Sequence, residues 1–359
     1  MTRAANEAWA NPSSLHEPGR KAKQVVEDAR EKLADLIHAE PSEIIFTGGG
    51  TEACNFALFG AVQALRDKGR HLVVSLIEHP AVKSGAKALE AQGWSVTWIR
   101  PNADGVVEAA SVKSALRPDT VFCAIMAANN EVGAVQPVQE IGALLREKGV
   151  LFFCDMTQAL GKLPVNLSQT PVDLAAFVGH KIGGPKGAGA LYIRKGLRLE
   201  AYVRGGGQER GLRGGTENVP GIAGFGAAAV YWKEHGEEER ARLQILRDAL
   251  QSVLLERIPG LKINALKGPR LPNTLHVTFP GARSDVLVMA LDLRGVSASA
   301  GSACASGSVK PSEVLLAMGR SPEEAMSSLR FSLGFGNTSE EIPALAEILA
   351  QVYAVARSG

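Results

Sequence analysis

The sequence predicts an α/β protein, with a large domain on a largely parallel sheet followed by a smaller α+β domain. Three observations carry this. Short apolar runs recur between residues 43 and 193 and alternate with helical patterns, the sequence form of strand-helix-strand crossovers. These runs are apolar enough for strands covered on both faces, as parallel sheets are. After about residue 233 the texture changes, as a charged helix leads into a looser set of strands and helices. That change puts a domain boundary near 237, giving domains 1–237 and 238–359.

Each element follows from its local pattern. Residues 20–38 hold Val25, Val26, Ala29, Leu33, Leu36 and Ile37 at three- and four-residue spacings, so these share one helical face. Strand-like EIIFT comes at 43–47, then LVVSL at 72–76, SVTWI at 95–99, TVFCAIM at 120–126, VLFFC at 150–154, LAAFV at 174–178 and GALYI at 189–193. A helix over 138–148 ends at Gly149, a residue that tolerates the left-handed closing conformation. In the second domain TLHVTF (274–279), VSASA (296–300) and SSLRFSL (327–333) read as strands. The segment 284–293 and the chain after Thr338 read as helices.

Composition excludes several classes of function. At 359 residues the chain is long enough for about two domains, and 45% hydrophobic against 21% charged residues suits a folded protein with a large core. The 39 basic and 37 acidic residues leave a charge of +2, too small to drive binding to nucleic acid or an anionic membrane. Cysteines 54, 123, 154 and 304 form no C-x-x-C pair, so no disulfide framework or zinc site is expected, and a reducing cytoplasm fits. No apolar run approaches the ~20 residues of a membrane span, and the polar TRAANEAWANPSS after Met1 is unlike a signal peptide. The chain is therefore expected to be neither anchored nor exported.

Four constellations and one further arginine carry chemistry. In FTGGGTEACN a strand runs through three glycines into a helix, a geometry that suits a phosphate, although a plain tight turn is the alternative. VLFFCDMTQALGK delivers Asp155 at a strand end, as partner for a ring nitrogen or a metal, or as a helix N-cap. DLAAFVGHKIGGPKGAGALY ends a buried strand in His180 and Lys181, where desolvation would make the lysine an amine able to condense with a carbonyl; most lysines instead face solvent. A phosphate cradle, a strand-end Asp and a strand-end Lys together are what pyridoxal phosphate requires. Cys304 in VSASAGSACASGSVKPS sits among small residues, where a thiol can reach a substrate and then a partner, whereas the other three cysteines read as packing residues. Arg330 in SSLRFSLG fits bidentate binding of a carboxylate, with a structural ion pair as the alternative.

Taken in order, NPSSLH, EIIFTGGGTEACN, EHPAV, ANNEVGAVQP, DMTQALGK, GHKIGGPKGAGALY, GGGQERGLRGGTENVPGI, GSACASGS and SLRFSLG resemble the group I cysteine desulfurases, class V aminotransferases of fold type I. The resemblance spans nearly the whole chain. It implies a large domain on a mostly parallel mixed sheet, a small C-terminal domain, pyridoxal 5'-phosphate as cofactor and L-cysteine as substrate. It further implies that Lys181 carries the cofactor, that Asp155 partners the pyridine nitrogen, and that His79 stacks on the ring and assists proton transfer. Gln158 and Asn130 resemble contacts to the ring hydroxyl and the substrate, and Gly50, Thr51 and His180 resemble phosphate ligands. Thr216 looks like a phosphate ligand supplied across a homodimer, Arg330 like the substrate-carboxylate arginine, and Cys304 like the cysteine that receives sulfur for delivery to an acceptor protein such as an iron-sulfur scaffold. Two features depart from the family. Val178 stands where a serine commonly donates to the phosphate, and the chain begins just before NPSSLH, without the family's upstream Asn-Ala-Thr-Thr-like strand. The other readings are a selenocysteine lyase, another class V transferase, or a catalytically weak scaffold subunit.

Overall fold

The computed structural model describes residues 1–301 and 310–358, so Cys304 lies outside the described residues. In chain order the helices are α1 (Thr2–Glu7), α2 (Glu17–Ile37), α3 (Gly50–Leu65), α4 (Pro80–Ala91), α5 (Ala109–Ala115), α6 (Val138–Lys148), α7 (Val219–Arg257), α8 (Ser284–Asp292), α9 (Glu313–Ala317), α10 (Pro322–Met326) and α11 (Glu341–Ser358). The chain divides into two compact units. The first comprises Met1–Ile99, Glu108–Ala127 and Pro137–Gly236; the second comprises Arg100–Val107, Ala128–Gln136 and Glu237–Gly359. Helix α7 starts at Val219, well before the charged stretch that marks it in the sequence, and runs through the division at 236.

The first unit is built on strands β1 (Ile44–Thr47), β2 (His71–Ser75), β3 (Ser95–Ile99), β4 (Thr120–Ala124), β5 (Leu151–Asp155), β6 (Leu174–Val178) and β7 (Gly189–Ile193). They form a seven-stranded sheet in the order β1-β7-β6-β5-β4-β2-β3. The pairs from β3 through β6 are parallel, while β7 is antiparallel to both β6 and β1. Strands β4, β5, β6 and β7 are buried at every residue, which is why their sequences read as continuous apolar runs. Helix α2 buries Val26, Ala29, Leu33 and Ile37 of the expected face, leaves Val25 and Leu36 half-buried, and adds Ala22 and Arg30 to the buried side. Helix α6 closes at Gly149 with φ 68°, a conformation costly to a residue with a Cβ.

The second unit carries β8 (Lys262–Ile263), β9 (Thr274–Thr278), β10 (Ser299–Ala300) and β11 (Ser328–Ser332) in the order β10-β11-β9-β8, all antiparallel. Its core gathers Leu246, Leu250 and Leu254 of α7, Leu275 and Val277 of β9, Leu329 of β11 and Leu349 of α11. The expected strand at 296–300 shortens to its last two residues, and β8 lacks any clear sequence signal because two residues hold no period.

Candidate active site

Three parallel strands of the first unit, β5, β2 and β6, lead into polar side chains. Strand β5 ends at Asp155, only 3% exposed; its Oδ1 accepts from the Thr157 N–H at 2.9 Å and its Oδ2 faces the Cys54 thiol at 3.7 Å. No helix follows, so the N-cap alternative for Asp155 is not realised. Cys54 does more than pack, since burial and then the Asp155 charge push its thiol well up and keep it a weak donor to that carboxylate.

Strand β2 leads into Glu78 and His79. His79 caps α4, its Nδ1 accepting from the Ala81 N–H at 3.1 Å, so a neutral ring carries its proton on Nε2. Burial lowers its pKa; Lys181 and Lys83 lower it further and Asp155 opposes them, so all three charges act on this one ring. Glu78 escaped the sequence reading. It is 1% exposed, one oxygen accepts from the Met126 N–H at 2.7 Å, and the other has no hydrogen-bond partner among the described residues. Burial pushes this carboxyl up to about 8, and Asp155 adds to the rise.

Strand β6 runs into a 3-10 turn, Gly179–Ile182, that closes at Gly183 with φ 82°. The turn is pinned from beneath, because Trp232 of α7 donates its indole N–H to the Ile182 carbonyl at 2.9 Å. The expected burial of Lys181 is not found. Lys181 and His180 both lie exposed on the turn, which lifts them off the strand end instead of sealing them beneath it, and Lys186 is exposed as well. Burial and the nearby Lys181, Lys186 and Lys162 lower the His180 pKa. Val178 is buried and offers no donor, and Gln158 accepts from Lys162 at 2.9 Å.

The glycine turn at 48–50 lies where β1, β7 and α3 meet. A Cβ on Gly189 would come within 2.6 Å of the Gly49 carbonyl carbon, and one on Gly50 within 3.2 Å of the Thr157 side chain, so the Gly49 backbone and Thr157 crowd this corner. Gly50 and Thr51 form the first turn of α3, with Thr51 exposed.

The long glycine-rich segment after 204 is held down by ion pairs. Glu209 is 6% exposed and accepts from Arg30 through both oxygens at 2.8 Å and from the Phe46 N–H at 2.7 Å. Arg213 pairs with Glu52 of α3 at 2.8 Å. These ion pairs tie the segment to α2, β1 and α3, while Thr216 remains exposed. Charged residues inside a Gly-rich run look solvated in sequence; their partners stand far upstream.

The second unit holds Arg330 and Asn130. Arg330 on β11 donates Nη1–H to the Asn130 carbonyl at 2.7 Å and Nη2–H to Ser299 Oγ at 3.2 Å. Burial lowers its pKa and Glu131 opposes that. His276, fully buried on β9 directly across from Arg330, also went unnoticed in the sequence. Burial and then Arg330 push its imidazole down to about 3.

A family model described as Aminotransferase class-V matches residues 2–345. Cysteine desulfurase IscS of Methanosarcina thermophila is 43% identical over 346 residues, covering 96% of this chain and 85% of that protein. A solved structure titled NifS-like protein superposes with a TM-score of 0.92 at 36% identity, covering 99% of this chain and 94% of the other. A structure titled SspA in complex with cysteine gives a TM-score of 0.80 at 37% identity over 93% of each chain.

Proposed function

Because the chain belongs to the class V aminotransferases, and within them to the cysteine desulfurases, we propose that it is a pyridoxal-phosphate-dependent cysteine desulfurase. It converts L-cysteine to L-alanine and holds the sulfur as a persulfide on Cys304. What supports this most is a single juxtaposition: separate strand ends bring Asp155 and Lys181 within electrostatic reach of His79, beside a backbone-lined glycine corner.

The residues present fit the cofactor. Asp155 retains acceptor capacity beyond one backbone N–H and one weak thiol donor, which suits a pyridinium N–H. Lys181 would supply the primary amine that takes the aldehyde, and Gly50, Thr51 and His180 would hold the phosphate. Val178 contributes no hydrogen bond there, so cofactor affinity falls below that of a site with a hydroxyl. When bound, pyridoxal phosphate supplies the electron sink that lets the substrate α-carbon lose a proton.

The remaining work belongs to the chain. Lys181 moves the α-proton, and Arg330 and Asn130 hold the substrate carboxylate. His79, with Nδ1 committed to Ala81, acts at Nε2 and gives its proton there. The thiolate of Cys304 attacks the substrate sulfur, so the carbon-sulfur bond breaks as the sulfur-sulfur bond forms. The carbon takes up a proton to become the alanine methyl group. Thiol plus cysteine gives persulfide plus alanine, and no outside oxidant enters.

The working unit in this reading is a homodimer in which Thr216 reaches the neighbouring phosphate. The compartment is a reducing cytoplasm, and the sulfur passes to an acceptor protein such as an iron-sulfur scaffold. Among the described residues no helix is long and apolar enough to cross a membrane. The test is a product count. With L-cysteine and excess thiol reductant, the purified yellow protein should release alanine and sulfide in equal amounts. Pyruvate and ammonia in place of alanine would overturn the assignment.

A further inference from the structure

The proposed chemistry leaves one buried neighbour of Arg330 unused. His276 on β9 pairs in register with Arg330 on β11, so the two side chains leave the same face of the sheet at adjacent positions. The tautomer of His276 follows from a chain of hydrogen bonds that can run in only one direction. Ser328 Oγ lies 2.6 Å from the Glu324 carbonyl oxygen, an atom that only accepts, so the Ser328 proton is committed there. The 2.7 Å contact between Thr278 Oγ1 and Ser328 Oγ then uses the Thr278 proton. Asn264 must therefore offer an N–H to Thr278 Oγ1, 2.9 Å away, which fixes its amide orientation. The same amino group meets His276 Nδ1 at 3.1 Å, so Nδ1 accepts and a neutral ring carries its only proton on Nε2. Both Nε2 of His276 and Nε of Arg330 are buried nitrogens with no hydrogen-bond partner among the described residues, and both are donors.

We propose that this chain makes His276 a positioning residue for Arg330: its one lone pair is spent on Asn264, so it cannot accept from the guanidinium, whose Nε–H stays open to an α-amino-acid carboxylate. The opposite tautomer would set an acceptor beside Arg330 and compete with the substrate for that edge. The inference rests on the reading of Arg330 as the carboxylate site. It extends that reading from one residue to the Glu324-Ser328-Thr278-Asn264 chain, which selects the free edge without touching substrate.

Two measurements test it on the full-length holoprotein. Nitrogen-15 NMR of the histidine rings, with His276 assigned by its loss in His276→Gln, should show a neutral Nε2–H ring from pH 6 to 8. Asn264→Asp puts a carboxylate against Nδ1, which should draw the proton there and free Nε2 as an acceptor. The dissociation constant for L-alanine and the KM for L-cysteine should then rise roughly tenfold, the lower end of what a charge-assisted hydrogen bond is worth. The kcat should hold. Thr278→Val, which only unfixes the Asn264 amide, should give a smaller rise in the same direction. An Nδ1–H ring or an imidazolium in the unaltered protein would overturn the proposal, and this readout survives even if a variant fails to fold. A switched tautomer with unchanged carboxylate affinity would overturn it as well. If the unaltered protein binds neither amino acid although the ring is the Nε2–H form, the Arg330 reading falls and takes the role of His276 with it.

Discussion

Replacing Glu78 with glutamine removes a buried charge site while keeping the shape and the acceptor for Met126. In the folded protein burial raises this carboxyl from 4.5 to about 8, with the Asp155 charge adding to the effect. The folded state therefore binds the proton more tightly than the unfolded chain does. The group's contribution to stability is fully present below pH ~4.5 and is lost as pH rises through about 8. At ~1.4 kcal/mol per pKa unit, the loss across that window reaches at most roughly 5 kcal/mol, and several kcal/mol is the expected scale. Glutamine does not titrate, so the variant lacks this slope. Urea unfolding of both proteins at pH 5, 6, 7, 8 and 8.5, at fixed protein and cofactor concentration, reads the difference while other titrations cancel. The variant should gain on the parent steadily from pH 5 upward. A difference that stays flat, or that favours the parent at high pH, would refute the argument that Glu78 is buried as its neutral acid.

Three further outcomes follow. Borohydride reduction and peptide mapping should find the cofactor on Lys181; finding it on Lys186, which follows Pro185 in the next turn, would end that assignment. Arg30→Leu strands Glu209, whose carboxylate otherwise accepts twice from Arg30, and should cost about 3–5 kcal/mol in unfolding free energy while loosening the segment before Thr216. Sedimentation across a concentration series, with cofactor occupancy read from the same samples, should show occupancy falling as subunits separate; a monomer at full occupancy would remove Thr216 from the phosphate site.

The strands that build the sheet were legible because each is a continuous apolar run, and β3, β6 and β7 fall where the pattern puts them. Asp155 was legible for a related reason, since it ends a strand where parallel sheets place their ligands, whereas His79 was named only through the family resemblance. The start of α7 was hidden because its first half is apolar and small, with little amphipathic contrast. The exposure of Lys181 was not legible, because adjacency to a buried strand says nothing about the turn that follows it. Glu78, Glu209 and His276 were missed for one shared reason. What makes a buried polar residue matter is its partners, and Met126, Arg30 and Arg330 stand 48, 179 and 54 positions away in the chain. Local pattern carries no trace of such pairings.

The central claim is that sulfur leaves L-cysteine as alanine forms and comes to rest on Cys304. One equivalent of L-cysteine, added to the purified holoprotein without reductant and followed by mass analysis of the intact chain and its peptides, tests this directly. The account predicts one extra sulfur atom on the peptide carrying Cys304, one equivalent of alanine, and neither product in Cys304→Ser, which should still bind the cofactor. Alanine formed at the full rate by Cys304→Ser, or the extra sulfur found on Cys54, Cys123 or Cys154, would contradict it.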